Sequence, residues 1–116
     1  MFWEKFCVVG VFGNNDGERI VVAKRFEAIG GEVHPNIASA SLGNRSIAVM
    51  HYPELAIPIA KSDDYDIVVY GHTHKIDIQK EQSLLLNPGE TGGWTTGKST
   101  VAVVDIDTLE AKIYEI

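Results

Sequence analysis

The chain opens with a continuous apolar, β-branched run at residues 6–12, "FCVVGVF". Such a run suits a strand buried on both faces, as in a parallel sheet. It stops at "GNNDGER", a dense turn signal. Over residues 17–29, Ile20, Ala23, Lys24, Phe26 and Glu27 fall at helical spacing with the apolar positions on one side. Asp16 is placed to cap that helix, and Gly30-Gly31 to stop it. Residues 37–43 and 46–50 read as two strands around "LGNRS". "PELAIPIAKSD" reads as a helix with Pro53 in its first turn and a costly Pro58 inside, hence short or kinked. Residues 66–70 form another apolar strand. Two alternating stretches follow at 76–80 and 83–86, then a long loop, "NPGETGGWTTGKS". Residues 100–106 and 111–116 complete the pattern as strands joined at "DTLE". Strand and helix alternate early and strands dominate late, which predicts an α/β sandwich with a mixed sheet.

Polar residues gather where the predicted strands end. Asn14, Asn15 and Asp16 follow the first, His51 follows "VM", and His72 and His74 follow "VVYG". Ligand sites of open α/β sheets lie at that edge. Side chains two apart on a strand share a side, so His72 and His74 are able to face one site. Imidazole nitrogen with amide or carboxylate oxygen suits Mn, Fe, Zn, Ni or Co better than Ca. The alternative is that the two histidines cap a turn. His34, followed by Pro35, is assigned to an ordinary loop without a role. Trp94 reads as a half-buried loop anchor, with stacking on a base or aryl group as the other option. Gly92 through Ser99 fits G-x-x-x-x-G-K-[ST], but a phosphate loop needs a helix after it, and a strand is predicted here.

Composition narrows the class. The 116 residues suit one domain, residues 1–116. An apolar fraction of 45% and a charged fraction of 22% are ordinary for a globular chain. A net charge of −6 argues against nucleic acid as a broad-surface partner and against anionic membranes. No apolar run approaches the ~18 residues of a membrane span. The single cysteine, Cys7, reads as a small core hydrophobe and suits a reducing, cytoplasmic setting.

Taken in order, "GNND", "MH", "VVYGHTH" and "LLLNPGE" resemble the motifs of the calcineurin-like metallophosphoesterase family, and most closely its small prokaryotic phosphodiesterase branch. The resemblance implies a four-layer α-β-β-α sandwich with mixed sheets and a metal site at the C-terminal strand edge. It implies hydrolysis of a small-molecule phosphodiester by a metal-activated hydroxide, with one or two divalent transition ions such as manganese. Asn14, His51 and His72 would bind one metal, and His74 would belong to the other. Asn15 stands where many members carry the histidine that protonates the leaving group, and Asp16 would orient that position or cap the helix. Tyr52 replaces a usual glycine and narrows that corner. The family's opening D-x-H strand, helix and G-D strand are not matched. Only twelve residues precede Gly13, whereas a βαβ unit needs about 30. The chain is therefore expected to be a shortened remnant with an incomplete metal site. Its first strand would have an open apolar edge, which predicts a homo-oligomer. The competing expectation is a catalytically inactive protein-binding scaffold, for which a retromer subunit of this fold is a precedent.

Overall fold

The computed structural model describes residues 8–14 and 17–116. Asn15, Asp16 and Cys7, and with them the expected Asp16 cap, lie outside the described residues. The elements in chain order are β1 (Val9–Val11), α1 (Arg19–Ala28), β2 (Glu32–His34), β3 (Ile37–Leu42) and β4 (Arg45–Met50). They continue with α2 (Pro53–Ser62), β5 (Ile67–Val69), β6 (Asp77–Lys80), β7 (Leu84–Asn87), β8 (Thr100–Asp105) and β9 (Glu110–Glu115).

A five-stranded mixed sheet of order β3-β4-β5-β7-β6 forms the centre. β4, β5 and β7 run parallel, and β3 and β6 are antiparallel edges. The parallel strands are the near-continuous apolar ones because both their faces are covered. Ala48, Met50, Val68, Tyr70 and Leu85 point toward α2 and pack on its Ala56 and Ala60. Ile67, Leu84 and Leu86 are buried on the opposite face. Every residue of β7 is buried, so the alternation read at 83–86 gives way to a central strand. The two small alanines one turn apart let α2 lie close to the sheet. Pro53 begins the helix and Pro58 sits inside it, yet the ten residues remain one element.

β1 pairs in parallel with β2, Val9 opposite Glu32 and Val11 opposite His34. His34 is therefore a strand residue rather than a loop residue, because the glycine stop of α1 is followed at once by extended chain. Gly30 takes φ 76°, and its N–H bonds Glu27 O at 3.0 Å while Gly31 N–H bonds Phe26 O at 2.8 Å. This closes the helix as expected. One other expectation is corrected: β1 is only half-buried. α1 has none of its residues fully buried, and Ile20 is 73% exposed. On its apolar side Phe26 lies over Gly10 of β1, while Ile20, Val21 and Ile29 are exposed. The N-cap position is Glu18, without a side-chain capping bond.

β8 and β9 form a separate hairpin. It is fastened to the centre by Arg45, whose Nε donates to Ile106 O at 2.7 Å, and by Thr100 N–H to Glu90 O at 3.0 Å. No helix among the described residues is long and apolar enough to cross a membrane.

Candidate metal centre

Three strand ends converge. β1 runs through Phe12 to Asn14, β4 ends at Met50 before His51, and β5 leads through Tyr70 and Gly71 to His72. Gly71 N–H donates to His51 O at 3.0 Å, which locks the last two ends together. The result is a compact trio of donor atoms. His51 Nε2 lies 2.7 Å from Asn14 Oδ1 and 3.2 Å from His72 Nδ1, and His72 Nδ1 lies 3.4 Å from Asn14 Oδ1. Because Asn14 Oδ1 only accepts, His51 Nε2 carries the hydrogen of the short bond. Around an ion with bonds of about 2.1 Å, neighbouring donors stand roughly 3.0–3.4 Å apart in octahedral or tetrahedral geometry. The three separations lie near that range, so the atom types and the spacing both fit a divalent transition ion. Among the described residues no group of three His, Cys, Asp or Glu side chains converges in this way. The third donor here is an amide, so the trio carries no formal negative charge.

Tyr52 closes one flank. Its ring meets His51 edge-on at 4.8 Å and His72 at a tilt, also 4.8 Å, while the two imidazoles are 5.1 Å apart. The narrowing expected from Tyr52 is thus made by direct ring contact.

His74 sits elsewhere. β5 ends at Val69, and residues 71–74 form a turn in which His72 and His74 take φ 69° and 63°. The period-two rule does not extend into such a turn. Left-handed backbone costs a non-glycine residue about 1–2 kcal/mol, so something must hold it. Fully buried Asn87 does: its Nδ2 donates to Gly71 O at 3.3 Å and to Thr73 Oγ1 at 3.0 Å, while its Oδ1 accepts Gly89 N–H at 3.0 Å. Gly89 has φ 88°, and a Cβ there would overlap Thr100. His74 Nδ1 is 2.9 Å from Glu90 Oε2. Glu90 is only 8% exposed and also accepts Thr95 N–H at 2.6 Å and Thr96 N–H at 3.2 Å. Burial pushes its carboxyl up, but His74 and the two backbone N–H groups outweigh that and hold it below the usual carboxylate range. A cleft of about 200 Å³ beside this pair is lined by His74, Lys75, Glu90, Thr96 and Lys98.

Asn87 and Glu90 lie in "NPGE", read from sequence only as a turn. The available signal was an amide closing a leucine run and a carboxylate after a glycine, both in positions that bury them. Trp94 is corrected: it is 93% exposed, because the loop is anchored by its backbone to Glu90 rather than by the indole. Lys98 is followed by β8, so the phosphate-loop pattern has no helix behind it. A second cleft, about 270 Å³ between Ile57, Lys61, Gln82 and Leu85, is remote in chain and chemistry from the histidines. Beneath the site, Tyr70 donates to Asp77 Oδ2 at 2.6 Å, and burial together with that bond pushes its phenol up to about 12.

The chain is similar to known proteins over nearly its whole length. It is 31% identical over 107 residues to phosphodiesterase MJ0936 of Methanocaldococcus jannaschii, a match covering 89% of this chain and 64% of the relative. It thus spans somewhat under two thirds of that protein. A solved novel archaeal phosphodiesterase superposes with a TM-score of 0.84 at 27% identity, over 93% of this chain and 68% of the other. The zinc complex of Vps29 from Entamoeba histolytica shares the fold at 17% identity and a TM-score of 0.57, covering 94% and 90%. Mixed sheets flanked by helices are the metallophosphoesterase fold of these neighbours. With residues 2–109 matching the calcineurin-like phosphoesterase superfamily domain, the chain belongs to that superfamily.

Proposed function

We propose that the chain is a metal-dependent phosphodiesterase whose own residues supply one three-donor cation site. The observation that carries this is the trio Asn14 Oδ1, His51 Nε2 and His72 Nδ1, three donors from three strand ends within 2.7–3.4 Å of one another. Family membership and the phosphodiesterase relatives support the same reading. Asn14, His51 and His72 would hold a divalent transition ion, manganese or zinc among them, and His74 would serve a neighbouring one. Such an ion polarises a phosphoryl oxygen and activates water for in-line attack.

The chain's residues have distinct tasks. Asn14 and the two imidazoles would hold the ion through neutral donors. Tyr52 packs both rings so that neither rotates away. Lys75 and Lys98 line the cleft beside His74 and offer positive charge to a phosphodiester. Trp94 presents an open indole face to a planar ester group, at the tip of a loop tied through Glu90 to His74. Asn15 and Asp16 follow Asn14 in the chain. By the family resemblance a carboxamide at 15 would offer the leaving oxygen a hydrogen bond but no proton, and Asp16 would orient that position or cap the helix.

The test is hydrolysis of bis(4-nitrophenyl) phosphate by the chain with added Mn²⁺. Turnover lost in His72→Ala is the expected result. Cation binding without turnover, equal in both proteins, would contradict catalysis and favour the scaffold of the same fold.

A further inference from the structure

We propose that Arg19 is a substrate-binding residue: its guanidinium, propped on the Phe12 ring, grips an anionic oxygen of a phosphodiester at the strand edge that carries Asn14, His51 and His72. This deepens, and rests on, the metal-site reading above.

Topology brings Arg19 to that edge. β1 and β2 are parallel, so the helix between them starts where β1 ends and runs back along it. Two contacts mark the direction: Phe26, late in α1, lies over Gly10, and Arg19, its first residue, lies over Phe12. Phe12 is a fixed support. It is 9% exposed, and its N–H donates to His34 O at 3.1 Å, one step beyond the last paired residue of β1. Asn14, the first donor of the trio, follows two residues later. Arg19 Cζ stands 4.7 Å from the centre of the Phe12 ring. Such a contact holds a guanidinium in place without using a hydrogen-bond acceptor. Among the described residues the group makes no hydrogen bond and no ion pair, so its N–H donors remain for a ligand. The donors of Arg45, by contrast, are used on Ile106 O and Asp107 O.

The helix itself does not call for a cation there. A positive side chain in the first turn opposes the helix dipole, and α1 has no acidic residue in that turn. Glu18, just before it, neither caps the helix nor pairs with Arg19. A phosphodiester shares one negative charge between two non-bridging oxygens. With one of them on the cation site, the other still needs a donor, and Asn14, His51 and His72 are already committed to that site. A planar fork of N–H groups that never loses its charge is the side-chain group suited to the second oxygen.

The experiment uses the full chain with Zn²⁺, and diphenyl phosphate as the anionic probe. ¹⁵N–¹H spectra of the arginine Nε–H groups are recorded as the probe is added, the Arg19 signal being identified by its loss in Arg19→Lys. The expected result is a saturable movement of that signal while those of Arg25 and Arg45 stay in place. Affinity for diphenyl phosphate falls about 10- to 100-fold in Arg19→Ala, and affinity for Zn²⁺ does not change. With bis(4-nitrophenyl) phosphate as substrate, the loss in Arg19→Ala appears mainly in KM. Added guanidinium ion restores part of it, and Arg19→Lys, which keeps the charge without the fork, gives an intermediate result. An Arg19 signal that stays in place overturns the proposal, and so does unchanged affinity for diphenyl phosphate in Arg19→Ala. If the signal moves but no Zn²⁺ binds to the parent chain, Arg19 keeps its role and the metal-site reading falls. If Zn²⁺ binds and the signal moves without turnover, the catalytic reading falls instead.

Discussion

Two histidines two residues apart are held by different means. His72 is placed by backbone: it extends a buried parallel strand, and Gly71 N–H ties that strand's end to His51 O. Its partners are neutral donors, an imidazole and an amide. His74 is placed by a side chain, the Glu90 carboxylate, which in turn gathers a loop. The first arrangement is set by the core, and a cation there would replace the hydrogen that His51 Nε2 shares with Asn14 Oδ1. The second is a histidine–carboxylate contact between a turn and a long loop, adjustable without touching the sheet. One short motif thus carries both a rigid site and a coupled one, and Asn87 is the joint between them.

The comparison can be broken at several points. The largest effect is expected from His51→Ala, which removes the central donor of the trio. Affinity for Mn²⁺ or Zn²⁺ should fall by more than about 100-fold in calorimetric titration, whereas His74→Ala should leave most of it. Asn87→Ala strikes both regions at once. It leaves Gly71 O and Gly89 N–H without their buried partner, and denaturant unfolding should record a loss of about 2–4 kcal/mol. Chemical shifts of His72 and His74 should move together. Trp94→Ala touches only the loop tip. It should raise KM for an aryl phosphodiester by about three- to tenfold, leave kcat nearly unchanged, and leave stability within about 0.5 kcal/mol.

The smallest effect lies below the sheet and sharpens the distinction between site and scaffold. Asp66 accepts the backbone N–H of Ser46 at 2.8 Å and its hydroxyl at 3.2 Å, with Arg45 nearby. The Ser46 backbone bond is the chief reason its carboxyl is held below the usual value of 3.8. A depressed folded-state value means its stabilisation is complete above 3.8 and is lost as pH falls below that. Asp66→Asn should flatten this acid limb of the unfolding curve and leave metal binding unchanged.

How much of this was legible in the sequence follows from what each feature depends on. The strands β3, β4, β5, β8 and β9 were readable from apolar runs and turn residues, because local pattern and burial agree there. β2 was not, since "EVH" is three residues long and is a strand only because β1 lies beside it. The apolar stripe of α1 was legible in the helical spacing, but not how little of it the fold covers. Asn14, His51 and His72 were legible as strand-end polar residues, since β4 and β5 are neighbours in the central sheet and β1 packs beside β3 and β4. Glu90 and Asn87 were not. Their importance comes from the left-handed turn at His72 and His74, a backbone state that residue types other than glycine do not advertise. Trp94 was misjudged for a related reason: its loop is anchored by main-chain N–H groups, which carry no sequence signal.

The central claim is that Asn14, His51 and His72 form the cation site of this chain. Its most direct test is equilibrium dialysis of the chain against Mn²⁺ or Zn²⁺, with metal measured by elemental analysis beside His51→Ala and His74→Ala. Bound metal that disappears with His51→Ala and persists with His74→Ala is the predicted result. Metal binding indifferent to His51→Ala, or none in the parent chain, would contradict it.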